Sequence, residues 1–405
     1  MAIILYNSLS GSKEEFVPAF DGEVGMYVCG PTVYDLSHVG HARCYVFFDV
    51  VRRYLEFKGF KVTYVQNFTD IDEKITDRAK REGVRPKDVS ERYINAFMDD
   101  MKALNVRVAT TYTKVTDHIE EIVGLTHLLM DRGFAYELDG TVYFDTSKVN
   151  RFGTLTHSTI ESLLVGALVS DMKRNPMDFV LWRRSKEGDS AWDSPWGPGR
   201  PGWHTECAAM ASRYLRIPID IHGGGEDLKF PHHESEVTIA EAAFQRSLAK
   251  YWMHNNFVTM GEEKMSKSSG MFATVRSILQ KHRGDALRYC LLKTHYREKM
   301  EFSEVCISEA EKELKLIRRA SAGLRRAVGS SSANQSGVTG EHWKGFLDAM
   351  NDDFDSGRAI DILFRLAEEA SAKTLATKDA GLVFRTFEKA SGILGVDFCR
   401  SSSTQ

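Results

Sequence analysis

The 405-residue chain has no apolar run near the roughly 18 residues that a membrane-crossing helix needs, which excludes an integral helical membrane protein. Its N-terminus carries only a short apolar patch, Ile3 to Tyr6, with no basic flank. A secretory signal is therefore not expected, and a cytoplasmic location is. Cysteine is scarce, six residues in all, which excludes a disulfide scaffold. Those thiols are expected to be reduced or metal-bound rather than bridged. Charge of one sign is lacking as well: 53 Lys and Arg stand against 56 Asp and Glu, for a net charge of −3. A general polyanion binder is not indicated, although a local basic patch could still hold nucleic acid. No repeat at a fixed period and no collagen-like or low-complexity composition is found. What remains is 42% hydrophobic and 27% charged, an ordinary globular composition, with length for roughly two to four domains.

The first half reads as α/β. A strand is expected over 23–29, stopped by Gly30 and Pro31. A helix over 39–57 follows, with apolar residues at helical spacing, and then an alternating strand over 61–68. Strand, helix and strand in this order make a βαβ unit, so a parallel sheet is expected. Helices are predicted over 73–104 and 116–132, a hairpin over 135–144 turning at Asp139-Gly140, and a loop over 185–202. A strand over 217–222 runs into three glycines. A helix over 234–244 and a strand over 252–260 come next. After about residue 284 strand signals vanish. Helices over 285–292 and 303–328, a polar linker over 329–340 and two or three helices over 341–395 complete the chain.

Three segments carry chemistry. The first, from Pro31 to His41, joins the first strand to its helix, where α/β sheets bind ligands. A helix N-terminus there suits phosphate, Gly40 permits close backbone approach, and His38 and His41 share a helix face. An ordinary capped turn would look the same. The second, Gly261 to Gly270, places Lys264 and Lys267 among hydroxyls and glycines, as a triphosphate clamp or a plain surface loop would. The third is scattered: Cys29, Cys207, His232 and Glu236 make a plausible tetrahedral Zn²⁺ set. Each cysteine could equally be a small buried apolar residue. By spacing alone His233 is as good a candidate as His232.

Together these segments resemble the cysteinyl-tRNA synthetase family of class I aminoacyl-tRNA synthetases. The "HIGH" element stands as His38-Val39-Gly40-His41 and the "KMSKS" element as Lys264 to Ser268. The cysteinyl type is marked by MYVCGPTVYD (26–35), NFTDIDEKI (67–75), GRPGWHTEC (199–207) and IHGGGEDLKFPHHESE (221–236). The resemblance implies an α/β, Rossmann-type catalytic domain over 1–260 with a connective insertion at about 105–200. A KMSKS loop and stem-contact region over 261–302, a helical bundle over 303–398 and a disordered tail over 399–405 would follow.

It also implies roles. Cys29, Cys207, His232 and Glu236 would hold one Zn²⁺, and His233 would not. Thr32, His38, Gly40, His41, Gly224, Gly225, Asp227, Lys264, Ser266 and Lys267 would bind ATP, with Mg²⁺ alongside. His38, His41, Lys264 and Lys267 would act on the phosphates in catalysis. Cys29, Thr69, Trp203 and His222 would meet the substrate cysteine. The implied activity is activation of L-cysteine by ATP and its transfer to cysteine tRNA by a monomer. The metal would separate thiolate from hydroxyl.

Two departures stand out. The family usually continues into a small anticodon-contacting domain, which this chain is expected to lack, and Ser356-Gly357 stands where the family usually has Thr-Pro. A cysteine ligase of the mycothiol type, which passes activated cysteine to an amino-sugar amine, is the alternative. The basic helix with Lys312, Lys315, Arg318, Arg319, Arg325 and Arg326 could track an RNA backbone or be a solvated face.

Overall fold

The computed structural model describes residues 2–158, 173–186, 190–260, 263–264, 273–328, 340–372 and 380–400. Residues 329–339 of the expected linker and 401–405 of the tail expected over 399–405 lie outside these residues, whereas Cys399 of that tail is ordered, its N donating to Asp397 Oδ1 (3.0 Å). Strands β1 (Ile4–Asn7) and β2 (Ser12–Glu15) form an N-terminal hairpin. Then come β3 (Glu23–Val28), α1 (Val39–Phe57) and β4 (Lys61–Phe68), the βαβ unit legible in the sequence. The stretch expected as one helix over 73–104 is two, α2 (Glu73–Glu82) and α3 (Pro86–Ala103). Gly83 closes α2 at φ 67°, and Pro86 cannot continue a helix but can start one.

After β5 (Thr111–Lys114) and α4 (Ile119–Asp131), strands β6 (Ala135–Leu138) and β7 (Thr141–Phe144) form the expected hairpin. It is extended by β8 (Phe179–Arg184) and β9 (Gly199–Pro201) into an antiparallel four-stranded sheet. The Gly- and Pro-rich stretch read as a loop therefore ends in a short edge strand. Strands β10 (Ile219–Gly225) and β11 (Ala249–Asn255) return to the main sheet.

That sheet has the order β11-β10-β3-β4-β5, all parallel. The chain leaves β3 toward β4 on one side and later places β10 on the other. The switch point thus lies between β3 and β10, where a crevice opens at the carboxyl ends of strands. Strand alternation assigns the two faces. Val24, Met26 and Val28 point into the apolar cluster shared with α1 and the C-terminal helices, while Tyr27 and Cys29 point into a second cluster with β7, β8 and Trp252. Gly223 lets α1 lie close on β10, because a Cβ there would sit 2.2 Å from the Phe48 ring.

The strand expected over 252–260 is broken at Asn256 and Phe257. β11 ends at Asn255, and β12 (Val258–Met260) joins a separate small sheet with β13 (Glu263–Lys264) and β14 (Met300–Glu301). β14 also shows that strand structure persists beyond residue 284. The C-terminal part is helical, from Gly284–Leu292 and Glu304–Val328 to Glu341–Asn351, Ser356–Ser371 and Ala380–Leu394. Cys290 and Cys306, expected as reduced thiols, form a disulfide. Packing of two consecutive helices sets their Cα atoms 6.3 Å apart, within bridging range, a proximity that no spacing in the sequence reveals. No helix among the described residues is long and apolar enough to cross a membrane.

Candidate active site and metal cluster

A cavity of about 660 Å³ opens at the switch point. Its walls come from the β3–α1 turn and helix start (Thr32, His38, Gly40, His41), from Asn67 and Thr69 at the end of β4, from Trp203, from Gly225 and Asp227 at the end of β10, and from Asn255 to Val258 at the end of β11. Gly30 is fixed by sterics here: its amide donates to Asn67 Oδ1 (2.7 Å), and a Cβ would lie 1.5 Å from the Asn67 carbonyl oxygen.

One wall is a helix start. His38 caps α1 and His41 caps it back. His41 N donates to His38 Nδ1 and His38 N to His41 Nδ1, each at 3.3 Å. The two rings stack with centroids 3.7 Å apart. The reciprocal arrangement consumes one nitrogen of each imidazole and holds both rings against the positive end of α1. Lys264 lies on β13, paired with Thr259. Ser266 and Lys267 fall outside the described residues.

The floor is different. Cys29 follows β3, Cys207 lies on the helix Trp203–Tyr214, and His232 and Glu236 flank the start of the helix Glu234–Phe244. All four are buried. Cys29 Sγ is 3.6 Å from Cys207 Sγ, 3.6 Å from His232 Nε2 and 3.7 Å from Glu236 Oε1. His232 Nε2 is 2.8 Å from Glu236 Oε1. Ligands on a tetrahedral zinc, with bonds of about 2.0–2.3 Å, stand about 3.3–3.8 Å apart. The three distances from the Cys29 sulfur fall in that range, whereas the 2.8 Å His232–Glu236 contact is a hydrogen bond that must open for both groups to bind one cation. His233 also reaches Cys29, at 3.3 Å. Cys29, His232, His233 and Glu236 offer ligand atoms that all lie within 4.8 Å of one another. The geometry thus admits a fourth ligand from Cys207 or from His233.

Charges at the floor are compensated by neighbours. Burial works against the Glu236 carboxylate, but His222 and His232 outweigh it and hold the carboxyl well below its usual range. Burial also opposes the His232 imidazolium, and Glu236 and Cys207 lift it to about 10. The hydrogen bond from Cys29 draws the Cys207 thiol down to about 6, while burial pushes that of Cys29 up. Unpaired, such charges would cost several kcal/mol each, so a sulfur, carboxylate and imidazole set this deep marks a site for a cation or proton rather than a packing accident.

His222 and Gly224, expected to face ligands, are placed behind the floor. His222 Nε2 meets Glu236 Oε2 at 2.6 Å with no solvent exposure. Gly224 backs onto His233 and Leu228. Trp203 does face the cavity, 42% exposed, with its ring stacked on His232 at 4.5 Å. Two supporting residues had no signal of their own in the sequence. His204 Nδ1 lies 3.1 Å from His232 Nδ1, and His254 Nε2 lies 2.8 Å from His233 Nδ1. Burial pushes His204 down to about 3, which keeps it neutral beside His232. Periodicity could not find them, because each acts through a residue distant in the chain.

The family described as "tRNA synthetases class I (C) catalytic domain" matches residues 15–312. A cysteine–tRNA ligase of Heliobacterium modesticaldum is 46% identical, covering 98% of this chain and 87% of its own. One from Thermococcus gammatolerans is 44% identical, over 91% and 79%. Among solved structures, Mycobacterium tuberculosis methionyl-tRNA synthetase with methionyl-adenylate superposes with a TM-score of 0.65 at 16% identity, covering 92% of this chain and 89% of its own. An Agrobacterium radiobacter LeuRS in complex with tRNA and LeuAMS gives 0.65 at 11% identity, over 95% and 85%. At such identities these two speak for the fold alone, a class I synthetase body with a parallel sheet and a helical C-terminal region. The chain belongs to the cysteine–tRNA ligase family of the class I aminoacyl-tRNA synthetases.

Proposed function

We propose that this chain activates L-cysteine with ATP and transfers the cysteinyl group to the 3′ end of cysteine tRNA. The observation that carries the reading is one cavity with a stacked His38–His41 pair on its wall and the Cys29, Cys207, His232 and Glu236 cluster at its floor. Zinc bound at that floor would supply a soft Lewis acid for the substrate sulfur, a discrimination that shape alone limits to about 10²-fold for near-isosteres. Cys29, Cys207, His232 and Glu236 would hold it.

Thr69, Trp203, Gly225 and Asp227 all line the cavity, and on this reading the first two meet cysteine and the last two the nucleoside. His38 and His41, at the positive end of α1, donate to ATP phosphate oxygens. An oxygen of the cysteine carboxylate attacks the α-phosphorus, and the bond to pyrophosphate breaks. Lys264 and Lys267 meet the charge that develops on the leaving group, with Mg²⁺ accompanying the nucleotide. In the second step a ribose hydroxyl of the tRNA attacks the carbonyl carbon and AMP leaves. Neither step needs an enzyme nucleophile, because positioning and charge stabilisation suffice. On this reading the chain acts as a monomer in the cytoplasm.

The test is ATP–pyrophosphate exchange with cysteine and with serine, followed by acylation of cysteine tRNA. Exchange that is cysteine-dependent and strongly prefers cysteine over serine, with acylated tRNA as the product, is expected. Exchange without tRNA acylation, but with acylation of an amino-sugar amine, would overturn the assignment of the acceptor.

A further inference from the structure

Resting on the proposed activation of cysteine, we infer that Arg43 is a positioning residue, which fixes the corner between β11 and β12 relative to the histidines of α1. Arg43 lies two residues past His41 and is only 2% exposed. Both terminal nitrogens of its guanidinium are spent on backbone, while Nε has no partner. Nη1 donates to the carbonyls of Asn256 (3.1 Å) and Phe257 (2.9 Å), and Nη2 to those of His295 (2.9 Å) and Glu298 (2.7 Å). A planar fork with fixed donors satisfies four carbonyls from two separate segments, which an ammonium cannot do.

Those segments matter because of where they lead. Asn255, Asn256, Phe257 and Val258 form one wall of the cavity, and the chain runs from them through β12 to Lys264. The two corners are also tied to each other, Asn256 N to the Tyr296 carbonyl (2.8 Å) and Asn256 Nδ2 to the Arg297 carbonyl (2.9 Å). On the other side of residues 261–272 the chain returns to the same helix start. Val39 N donates to the Ala273 carbonyl (3.1 Å) and Val275 N to the Ser37 carbonyl (2.9 Å). Both approaches to the lysine-bearing segment are therefore fastened to the first turns of α1. The return is held by backbone bonds at 37–39, and the outgoing corner by the Arg43 side chain. Arg43 touches no substrate in this arrangement. It sets the separation of the histidine wall from the outgoing corner, a distance to which phosphoryl chemistry is sensitive at the level of about 1 Å.

The experiment compares wild type, Arg43→Ala and Arg43→Lys in cysteine-dependent ATP–pyrophosphate exchange, with zinc content and Tm measured on the same preparations. Arg43→Ala should lower kcat by about 100-fold and raise the KM for ATP several-fold, with the KM for cysteine and zinc per chain unchanged. Arg43→Lys should recover part of kcat. A wild-type kcat in Arg43→Ala, or a loss that falls equally on cysteine KM and zinc content, would overturn the inference. If Arg43→Ala does not fold, Arg43→Lys decides: a lowered kcat at unchanged cysteine KM supports the inference, and wild-type kinetics overturn it. A wild-type protein with no cysteine-dependent exchange would instead sink the functional reading together with this inference.

Discussion

The wall of the cavity and its floor are built on opposite plans. The wall is local: His38 and His41 are three residues apart, cap each other across one turn and stand at the mouth of the cavity. The floor is assembled from three stretches of chain, and every donor in it is buried. A local wall can be rearranged by rotating a side chain. The floor is fixed by the sheet, by the packing of two helices, and by neighbours such as His222 and His204. Metal or proton binding at the floor should accordingly be stiff and cooperative, and phosphate handling at the wall graded.

The sharpest break of that contrast is His232→Ala. It leaves the Glu236 charge with one partner fewer in a dry site, and should take bound zinc from about one per chain to near none. Cysteine-dependent exchange should fall by about 10³-fold or more, read by metal analysis alongside kinetics. Retained cysteine-over-serine preference without metal would contradict the role given to the floor. Next in size, Lys267→Ala should slow activation by about 10²–10³-fold with zinc content unchanged, since it acts on leaving-group charge. An equal rise in cysteine KM would blur the separation of wall from floor.

A smaller effect is expected for His222→Gln, which alters only the group behind Glu236. Zinc affinity should weaken by about 10–100-fold, with activity restored at high zinc, as titration against a competing chelator would measure. The smallest effect on chemistry, yet a clear one on stability, belongs to Asp49→Asn at the inner side of α1. Asp49 accepts from Arg53 (2.7 Å) and Arg288 (2.5 Å), all three buried. Burial opposes its charge, but Arg288 and Arg53 hold its carboxyl below the usual value. A depressed carboxylate contributes stability that is present above its unfolded value of about 3.9 and lost as pH falls through the lower folded one. Asp49→Asn should thus cost about 3 kcal/mol near pH 7, and the gap to wild type should close below about pH 4 in denaturant titrations.

Much of the fold was legible because local rules governed it. The α1 and β4 bounds, the hairpin turning at Asp139-Gly140 and the helix Glu234–Phe244 follow from periodicity and turn chemistry. The errors came where local signals conflict or tertiary contacts override them. Gly83 and Pro86 split a helical pattern whose apolar spacing alone looked continuous. At Asn256 and Phe257 the carbonyls turn to Arg43, so the single strand expected over 252–260 is two. The Cys290–Cys306 bond joins residues that composition and the lack of a signal assigned to reduced or metal-bound thiols.

The site divides along the same line. Residue types and order were readable in the motif strings, and so was the placement of His38 and His41 at a helix start. Spacing left the choice between His232 and His233 open, the approach of both to Cys29 came only from the structure, and the burial of His222 behind Glu236 was not readable at all. Sequence alone determined which side chains are available and which local elements carry them, because turn chemistry and hydrophobic period act over a few residues. Only the tertiary structure decided which of those side chains meet. The strand order that sets β10 beside β3 is a property of the whole sheet, and it alone brings residues two hundred positions apart to within a few ångströms.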